Sequence, residues 1–169
     1  MRTLHCPNCG TPFVRVTHHE GVVERVLNRM QVFPFRCQLC MSKFRAFYRQ
    51  AGRSAGAFDR RQYKRLPTSI EAHFVLDNRT QATKRITDIS MDGCTLQTVE
   101  LPRGTFFSLV LKPGLEDEAI RVETAMVCSV RPSSVGIRFL EVPQSDQRRL
   151  SQVILGLLVS QGPNPVNNV

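Results

Sequence analysis

Apolar and polar residues alternate with a period of two through much of the second half of the chain. The clearest case is a segment in which every second residue is apolar: Ile70, Ala72, Phe74 and Leu76. The same pattern recurs at residues 84–89, 94–99, 106–111, 120–130 and 135–140. Turn residues separate these segments, at 77–78, 92–93, 102–104, 113–114 and 132–134. Six short strands at this spacing predict a small antiparallel β-barrel or β-sandwich.

After residue 144 the apolar period changes to that of an α-helix. The positions i, i+3, i+4, i+7 and i+8 are all apolar: Leu150, Val153, Ile154, Leu157 and Leu158. Ser145 or Asp146 suits the start of this helix. The stripe predicts a C-terminal helix that packs on the barrel as part of its core.

The first 48 residues predict a second, much smaller β unit. Short strands are expected at 13–16 and 22–26, with a turn at 18–21. Four phenylalanines can form a thin apolar layer: Phe33, Phe35, Phe44 and Phe47. A unit of this size buries too little apolar surface to fold on that layer alone, so a structural metal is expected to supply the remaining stability.

Two C-x-x-C pairs offer ligands for such a metal. Separated by 27 residues, they are Cys6 with Cys9 and Cys37 with Cys40. Each pair can place two thiolates on one side of a tetrahedral zinc ion, and Gly10 supplies the permissive backbone that such a turn needs. Residues 1–48 therefore resemble a zinc ribbon. A redox or disulfide pair is the alternative, but one redox C-x-x-C would not explain two.

Two patterns known from enzymes are incomplete in this chain. His18-x-Glu20 followed by C-x-x-C resembles the zinc-deaminase signature, but Arg36 stands where that signature has proline. Four thiolates would also leave the zinc no open position for a water molecule. Residues 52–56 match the nucleophile elbow G-x-S-x-G, yet they lie between charged stretches and favour a flexible linker. We therefore expect no enzymatic activity.

Positive charge is concentrated in the N-terminal part of the 169-residue chain, whose formal net charge is +9. Residues 1–48 hold 7 cations and 2 anions, residues 49–66 hold 6 and 1, and the remainder holds 10 and 11. This distribution favours an anionic partner such as a phosphate ligand, nucleic acid or a membrane surface, with a merely solvated face as the alternative. Because the longest apolar run has seven residues and the N-terminus lacks an apolar signal segment, we expect no membrane span and a cytoplasmic location.

Two polar motifs flank the first strand of the predicted barrel. They are R-x-x-x-R with a preceding arginine, and D-x-S-x-x-G in the turn between the second and third strands: Arg60, Arg61, Arg65, Asp88, Ser90 and Gly93. R-x-x-x-R occurs at three other places in this arginine-rich chain, so it is uninformative alone, whereas D-x-S-x-x-G occurs once. The two motifs in this order, around a barrel pattern, are specific.

With these motifs, residues 58–160 resemble the PilZ domain family of bacterial receptors for the second messenger cyclic di-GMP. Residues 136–139 resemble the closing strand of that family. The resemblance implies a six-stranded antiparallel barrel with a C-terminal helix. It also implies that the arginine motif lies on a flexible segment that folds over the ligand.

The resemblance further implies roles for individual residues. Arg61 and Arg65 would contact phosphate and guanine, Asp88 and Ser90 would hold the guanine edge and nearby groups, and Gly93 would permit the turn. The chemistry agrees, because planar guanidinium groups pair bidentately with phosphate or guanine and a carboxylate accepts from the guanine N–H edge. The alternative is that Asp88 and Ser90 only cap a β-turn and that the arginines are solvated.

Arg60 bears on the number of ligands. In the PilZ family an arginine at this position tends to accompany binding of an intercalated cyclic di-GMP dimer, whose additional phosphates another cation can meet. The resemblance therefore implies more than one ligand per protein.

The sequence thus predicts a mainly β protein with four segments: a four-cysteine zinc ribbon at 1–48, a flexible linker at 49–57, a PilZ-like barrel with its helix at 58–160, and a disordered tail at 161–169. We expect it to bind one structural zinc and cyclic di-GMP, and to relay ligand binding to an unknown protein partner. Two alternatives stay open: a regulator that binds nucleic acid through the basic ribbon, and a PilZ-like scaffold that binds protein only. Zinc-bound thiolates would lower the charge of the ribbon from +5 to +3, which weakens the nucleic-acid alternative.

Overall fold

The computed structural model describes residues 4–17, 22–48, 62–76, 79–80, 83–97, 101–114 and 118–161. The chain divides into two compact units, of which the first contains the described residues up to Lys64 together with Gln161 and the second spans Arg65–Ser160. The predicted linker at 49–57 and the predicted tail from 162 onward lie outside the described residues. None of the described helices is long and apolar enough to span a bilayer.

The first unit contains a three-stranded antiparallel sheet and one short helix. Its elements are β1 (Val14–Val16), α1 (Val22–Arg29), β2 (Val32–Cys37) and β3 (Lys43–Phe47). The strands lie in the order β1-β2-β3, so β2 is hydrogen-bonded on both edges. In this register Val14 faces Cys37 and Phe35 faces Phe44.

The prediction of a strand at 22–26 is wrong, because these residues belong to the helix α1. Valine-rich segments favour strands through their stiff side chains, which is why the sequence pattern indicated one. The segment does not extend the sheet, whose order is β1-β2-β3, and its backbone groups are satisfied within a helix instead. Val23 and Val26 are exposed on this helix, at 67% and 56%. The predicted turn at 18–21 lies outside the described residues.

The predicted apolar layer of the first unit is centred on Phe35, which is buried. Its ring lies 5.8 Å from the ring of Phe44 and 5.8 Å from that of Tyr48, measured between centroids. Phe47 does not join this layer, since its side chain is 76% exposed. The reason is the period of a strand: residues 44 and 47 are three positions apart on β3 and therefore point to opposite faces.

The second unit is a closed antiparallel barrel. Its strands are β4 (Leu66–Leu76), β5 (Arg79–Thr80), β6 (Lys84–Ser90), β7 (Gly93–Leu96), β8 (Phe106–Lys112), β9 (Ile120–Arg131) and β10 (Ser134–Glu141). They lie in the order β5-β4-β6-β7-β10-β9-β8, and pairing of β4 with β8 closes the sheet. The two-residue β5 is a hairpin return outside the ring, so the predicted six-stranded barrel is confirmed and the sandwich alternative is not.

The helix α2 (Gln144–Ser160) follows the last strand, and its start agrees with the predicted residues to within two positions. Three residues of the predicted stripe are buried: Leu150, Ile154 and Leu158. Asp146 is also buried, and its Oδ1 accepts a hydrogen bond from the backbone N–H of Arg121 on β9 at 3.1 Å. This contact ties the first turn of the helix to the barrel wall.

Candidate functional site

The D-x-S-x-x-G motif forms the hairpin between β6 and β7. Ser90 pairs with Gly93 across a turn made by Met91 and Asp92. The Ser90 hydroxyl donates to Asp92 Oδ1 at 2.7 Å and lies 3.1 Å from the carbonyl oxygen of Gly93. Since Ser90 is only 1% exposed, its hydroxyl stabilises the turn, and a direct contact with a ligand stays a prediction.

Gly93 is needed where β7 meets β10. A Cβ atom at this position would lie 2.1 Å from the carbonyl oxygen of Ile137, which is backbone and cannot rotate away. The adjacent Asp92 carbonyl accepts a hydrogen bond from the N–H of Phe139 on β10 at 2.9 Å. The glycine therefore permits a close approach of two strands, and this holds the hairpin against the barrel.

Arg65 joins the two sequence motifs. Its Nη1 donates to Asp88 Oδ1 at 2.9 Å and to Thr95 Oγ1 at 2.7 Å. Thr95 in turn donates to the same Asp88 oxygen at 3.0 Å, which completes a triangle of three polar side chains. The side chains of Arg65 and Asp88 are 26% and 27% exposed, so the pair is accessible and partly desolvated.

Thr95 was missed by the sequence analysis. Thr95 lies directly opposite Asp88 in the β6–β7 register and is 4% exposed. Arg60 and Arg61 lie outside the described residues. Of the predicted ligand residues, the structure thus brings Arg65 and Asp88 into contact, with Ser90 and Gly93 at the turn that follows.

Four thiols converge in the first unit. The sulfur atoms of Cys6, Cys9, Cys37 and Cys40 all lie within 4.8 Å of one another. Cys6 and Cys40 are 3.6 Å apart between sulfurs, and Cys9 and Cys37 are 3.5 Å apart. Ligands about 2.3 Å from a tetrahedral zinc ion are about 3.8 Å from each other, so the cluster has the size and donor set of a four-cysteine zinc site.

The two C-x-x-C turns repeat the same backbone geometry. The N–H of Cys6 donates to the carbonyl of Thr11, and the N–H of Cys37 donates to that of Ser42, each at 2.9 Å and each five residues along. The residue after each pair has a left-handed backbone, with φ of 70° at Gly10 and 59° at Met41. The expected use of Gly10 is therefore observed, whereas Met41 adopts this conformation without the freedom of glycine.

Burial and hydrogen bonds shift the pKa values of the thiols in opposite directions. Burial raises the pKa of Cys37 to about 12, although the backbone N–H groups of Cys40 and Leu39 approach its sulfur. Burial also raises the pKa of Cys6. At Cys9 burial opposes ionisation, but hydrogen bonds from the hydroxyl and backbone of Thr11 outweigh it and lower the pKa to about 6. The cluster therefore contains one thiol that ionises readily and two whose protons a metal ion would have to displace.

Comparison with known proteins identifies the second unit. Residues 59–156 match the family model of the PilZ domain. The chain belongs to the PilZ domain family. A search of curated proteins gives no match to the chain.

Two solved structures resemble the chain in fold. One is the PilZ domain of YcgR from Escherichia coli with c-di-GMP, at a TM-score of 0.50 and 21% identity, covering 61% of this chain and 95% of that chain. The other is YcgR from Escherichia coli in complex with c-di-GMP, at a TM-score of 0.51 and 18% identity, covering 88% of this chain and 74% of that chain. The mainly β fold with a PilZ barrel, as predicted, is confirmed.

The PilZ match includes the polar triangle and excludes the thiols. Arg65, Asp88 and Thr95 all lie between residues 59 and 156, whereas the four cysteines precede this range. The PilZ domain therefore accounts for the barrel and its hairpin. The thiol cluster is an addition that the family model does not cover.

Proposed function

We propose that this protein is a receptor for cyclic di-GMP that binds the ligand at the β6–β7 hairpin of its PilZ barrel. Membership of the PilZ family and the likeness to YcgR with c-di-GMP support this function. The observation that carries it is the contact of Arg65 Nη1 with Asp88 Oδ1 at 2.9 Å, because it joins the arginine motif to the hairpin motif.

The chemistry of the ligand suits these side chains. Cyclic di-GMP has two phosphate charges and two guanines. Arg65 keeps guanidinium donors beyond the Nη1 that Asp88 and Thr95 share, and these can pair with phosphate or with guanine O6 and N7. The Asp88 carboxylate can accept from the guanine N–H edge. Arg61 would supply a second guanidinium, and Arg60 a third for an intercalated ligand dimer.

The remaining predicted residues would act through the backbone. Ser90 and Gly93 fix the shape of the hairpin on which Asp88 lies, by the turn hydrogen bonds and the close approach to β10. A rigid turn keeps the carboxylate in place before the ligand arrives, which lowers the entropic cost of binding.

The thiol cluster would hold one structural zinc ion through Cys6, Cys9, Cys37 and Cys40. The distances between the sulfurs and the repeated backbone turns support this assignment. Four thiolates fill a tetrahedral shell, so the ion would contribute folding energy and leave no position for a catalytic water. We accordingly propose a ribbon at 1–48, a linker at 49–57, a barrel with its helix at 58–160 and a short tail.

The protein would act in the bacterial cytoplasm by passing ligand binding to a protein partner, without catalysis of its own. Calorimetry with cyclic di-GMP tests the receptor function, and we expect micromolar or tighter binding that Arg65→Ala weakens. Arg60→Leu should lower the number of ligands bound if a dimer is the ligand.

A gel-shift assay across a salt series tests the nucleic-acid alternative, since binding to phosphates weakens steeply with salt. Absence of cyclic di-GMP binding would contradict the receptor function and favour a scaffold or nucleic-acid regulator.

A further inference from the structure

The chain just before Arg65 is bound to the second C-x-x-C turn. The side chain of Gln38, between Cys37 and Leu39, makes two hydrogen bonds to this segment. Its Oε1 accepts from the N–H of Lys64 at 2.7 Å, and its Nε2 donates to the carbonyl of Gln62 at 3.3 Å. The side-chain amide of Gln38 therefore holds the backbone on both sides of Tyr63, at Gln62 and at Lys64.

That residue, Tyr63, is anchored as well. Its side chain is 4% exposed. Arg36 Nη1 donates to the Tyr63 hydroxyl at 2.9 Å, and the guanidinium carbon lies 5.1 Å from the centroid of the tyrosine ring. Gln38 itself is 3% exposed, so these contacts are shielded from water. Hydrogen bonds in such a buried environment are stronger than hydrogen bonds at the surface. All of these residues belong to the first unit.

The position of Gln38 depends on the thiol cluster. In the sequence, Gln38 lies between Cys37 and Cys40, two of the four cysteines. The N–H groups of Leu39 and Cys40 approach Cys37 Sγ at 3.4 and 3.5 Å. A metal ion held by Cys37 and Cys40 would fix this turn, and with it the direction of the Gln38 side chain. The same side chain then fixes Gln62 to Lys64, three residues of the five-residue span from Arg61 to Arg65.

We propose that the zinc turn positions the arginine motif, so that zinc occupancy raises the affinity for cyclic di-GMP; this rests on the proposed receptor function. Gln38 and Arg36 are positioning residues in this scheme, since they act on the segment between Arg61 and Arg65. Backbone that is already ordered does not have to be ordered when the ligand binds, and that entropy is a main cost of association. The coupling is reciprocal, so bound cyclic di-GMP also raises the affinity for zinc by the same factor.

The experiment uses the full chain and a matched pair of glutamine variants. Gln38→Ala removes the hydrogen bonds to Gln62 and Lys64, while Gln152→Ala changes an exposed glutamine of α2. Hydrogen exchange of the Lys64 amide without ligand, zinc content, and calorimetric affinity for cyclic di-GMP are measured for each. Gln38→Ala should keep one zinc, expose the Lys64 amide to exchange, and bind cyclic di-GMP about tenfold more weakly, which is about 1.4 kcal/mol.

Conservative variants separate positioning from general stability. Gln38→Glu keeps the acceptor for Lys64 and should restore part of the affinity. Tyr63→Phe removes only the hydroxyl that Arg36 contacts, far in sequence from any cysteine, and should weaken binding about threefold with zinc intact. Gln152→Ala should match the wild type in all three measurements. If Gln38→Ala loses its zinc, the affinity of Tyr63→Phe for cyclic di-GMP becomes the test of the positioning role.

Each outcome has a distinct meaning. Wild-type binding together with unchanged affinity in Gln38→Ala and Tyr63→Phe would overturn the positioning role and leave the receptor function intact. A Lys64 amide that exchanges as fast in the wild type as in Gln38→Ala would also overturn it, without any ligand present. A wild-type protein that does not bind cyclic di-GMP would overturn both proposals.

Discussion

Thr95 Oγ1 donates a hydrogen bond to Asp88 Oδ1 at 3.0 Å across the β6–β7 hairpin. The two residues face each other in the register, and Arg65 Nη1 contacts both. One carboxylate oxygen thus receives two hydrogen bonds, which fixes its direction. Thr95 would therefore support a cyclic di-GMP site through the orientation of Arg65 and Asp88, even though the D-x-S-x-x-G motif ends before it.

Thr95→Val should weaken cyclic di-GMP binding about threefold to tenfold, because a hydrogen bond to a charged group is worth about 1.5–3 kcal/mol and part of it acts through orientation. Valine has nearly the same shape, so the buried site stays filled and the barrel should stay folded. Thr124→Val is the matched control, since Thr124 Oγ1 donates to Glu141 Oε2 at 3.1 Å on an exposed part of the barrel. Equal affinities of the two variants, measured by calorimetry, would contradict a role for Thr95.

Arg61→Ala and Arg65→Ala should each weaken cyclic di-GMP binding tenfold or more, because a bidentate arginine pair is worth about 1–3 kcal/mol. Arg49→Ala, in another R-x-x-x-R, should have little effect. Circular dichroism should show an intact barrel in all three variants, since Arg65 directly precedes β4 and the other two arginines lie earlier in the chain. A loss of affinity in Arg49→Ala equal to the others would indicate attraction by net charge alone.

Asp88→Ala should reduce selectivity for guanine more than it reduces attraction for phosphate. The carboxylate accepts from the guanine N–H edge, a contact that adenine cannot provide in the same form. Competition with cyclic di-AMP measures this effect, and the adenine dinucleotide should compete better against Asp88→Ala than against the wild type. Unchanged relative affinities for the two dinucleotides would remove Asp88 from guanine recognition.

The barrel was predictable from sequence, and the small helix was not. Along β8 and β9 buried residues recur at every second position over much of each strand, so the period of two in the sequence is the period of the barrel wall. In α1 the side chains of Val23 and Val26 are exposed. The apolar pattern of this segment therefore does not reflect packing in a core, and it predicted a strand instead of a helix. Pattern analysis succeeds where burial imposes the pattern and fails in a short element such as α1, whose apolar side chains are exposed.

The site was predictable only in part, for reasons of register and of distance along the chain. The sequence indicates a turn at 92–93, whereas Ser90 pairs with Gly93 across a turn at 91–92. The partner of Asp88 depends on this register, and Thr95 was missed because the D-x-S-x-x-G motif ends at Gly93, two residues before it. The contacts of Gln38 with Gln62 and Lys64 join residues 24 and 26 positions apart, and no local pattern encodes them.

Zinc affinity should fall steeply with acidity. The pKa values of Cys6 and Cys37 lie above the ordinary thiol value, so zinc must displace at least these two protons at neutral pH. For each displaced proton, the apparent affinity for zinc falls about tenfold when the pH is lowered by one unit. Two displaced protons therefore lower the affinity at least about hundredfold per pH unit between pH 8 and pH 6. Below its pKa of about 6 Cys9 is protonated too, and the dependence should steepen. Competition with a chelator across this range measures the slope, and a slope near tenfold would contradict the four-cysteine assignment.

Loss of one zinc ligand should unfold the first unit and spare the barrel. Structural zinc contributes about 10–16 kcal/mol in small zinc-binding domains, far more than the thin apolar layer around Phe35 can supply. Freshly purified wild-type protein should contain one equivalent of zinc, and Cys37→Ser should contain almost none.

Two-dimensional NMR separates the two units in the Cys37→Ser variant. Signals of the first unit should lose their dispersion, because the sheet β1-β2-β3 depends on the metal, whereas signals of the barrel should be retained, because its core is its own. Cys128→Ser is the matched control, since this cysteine lies on β9 of the barrel, outside the thiol cluster, and its loss should leave one zinc and both sets of signals in place. Well under one zinc in the wild type, or a folded first unit in Cys37→Ser, would rule out a structural zinc.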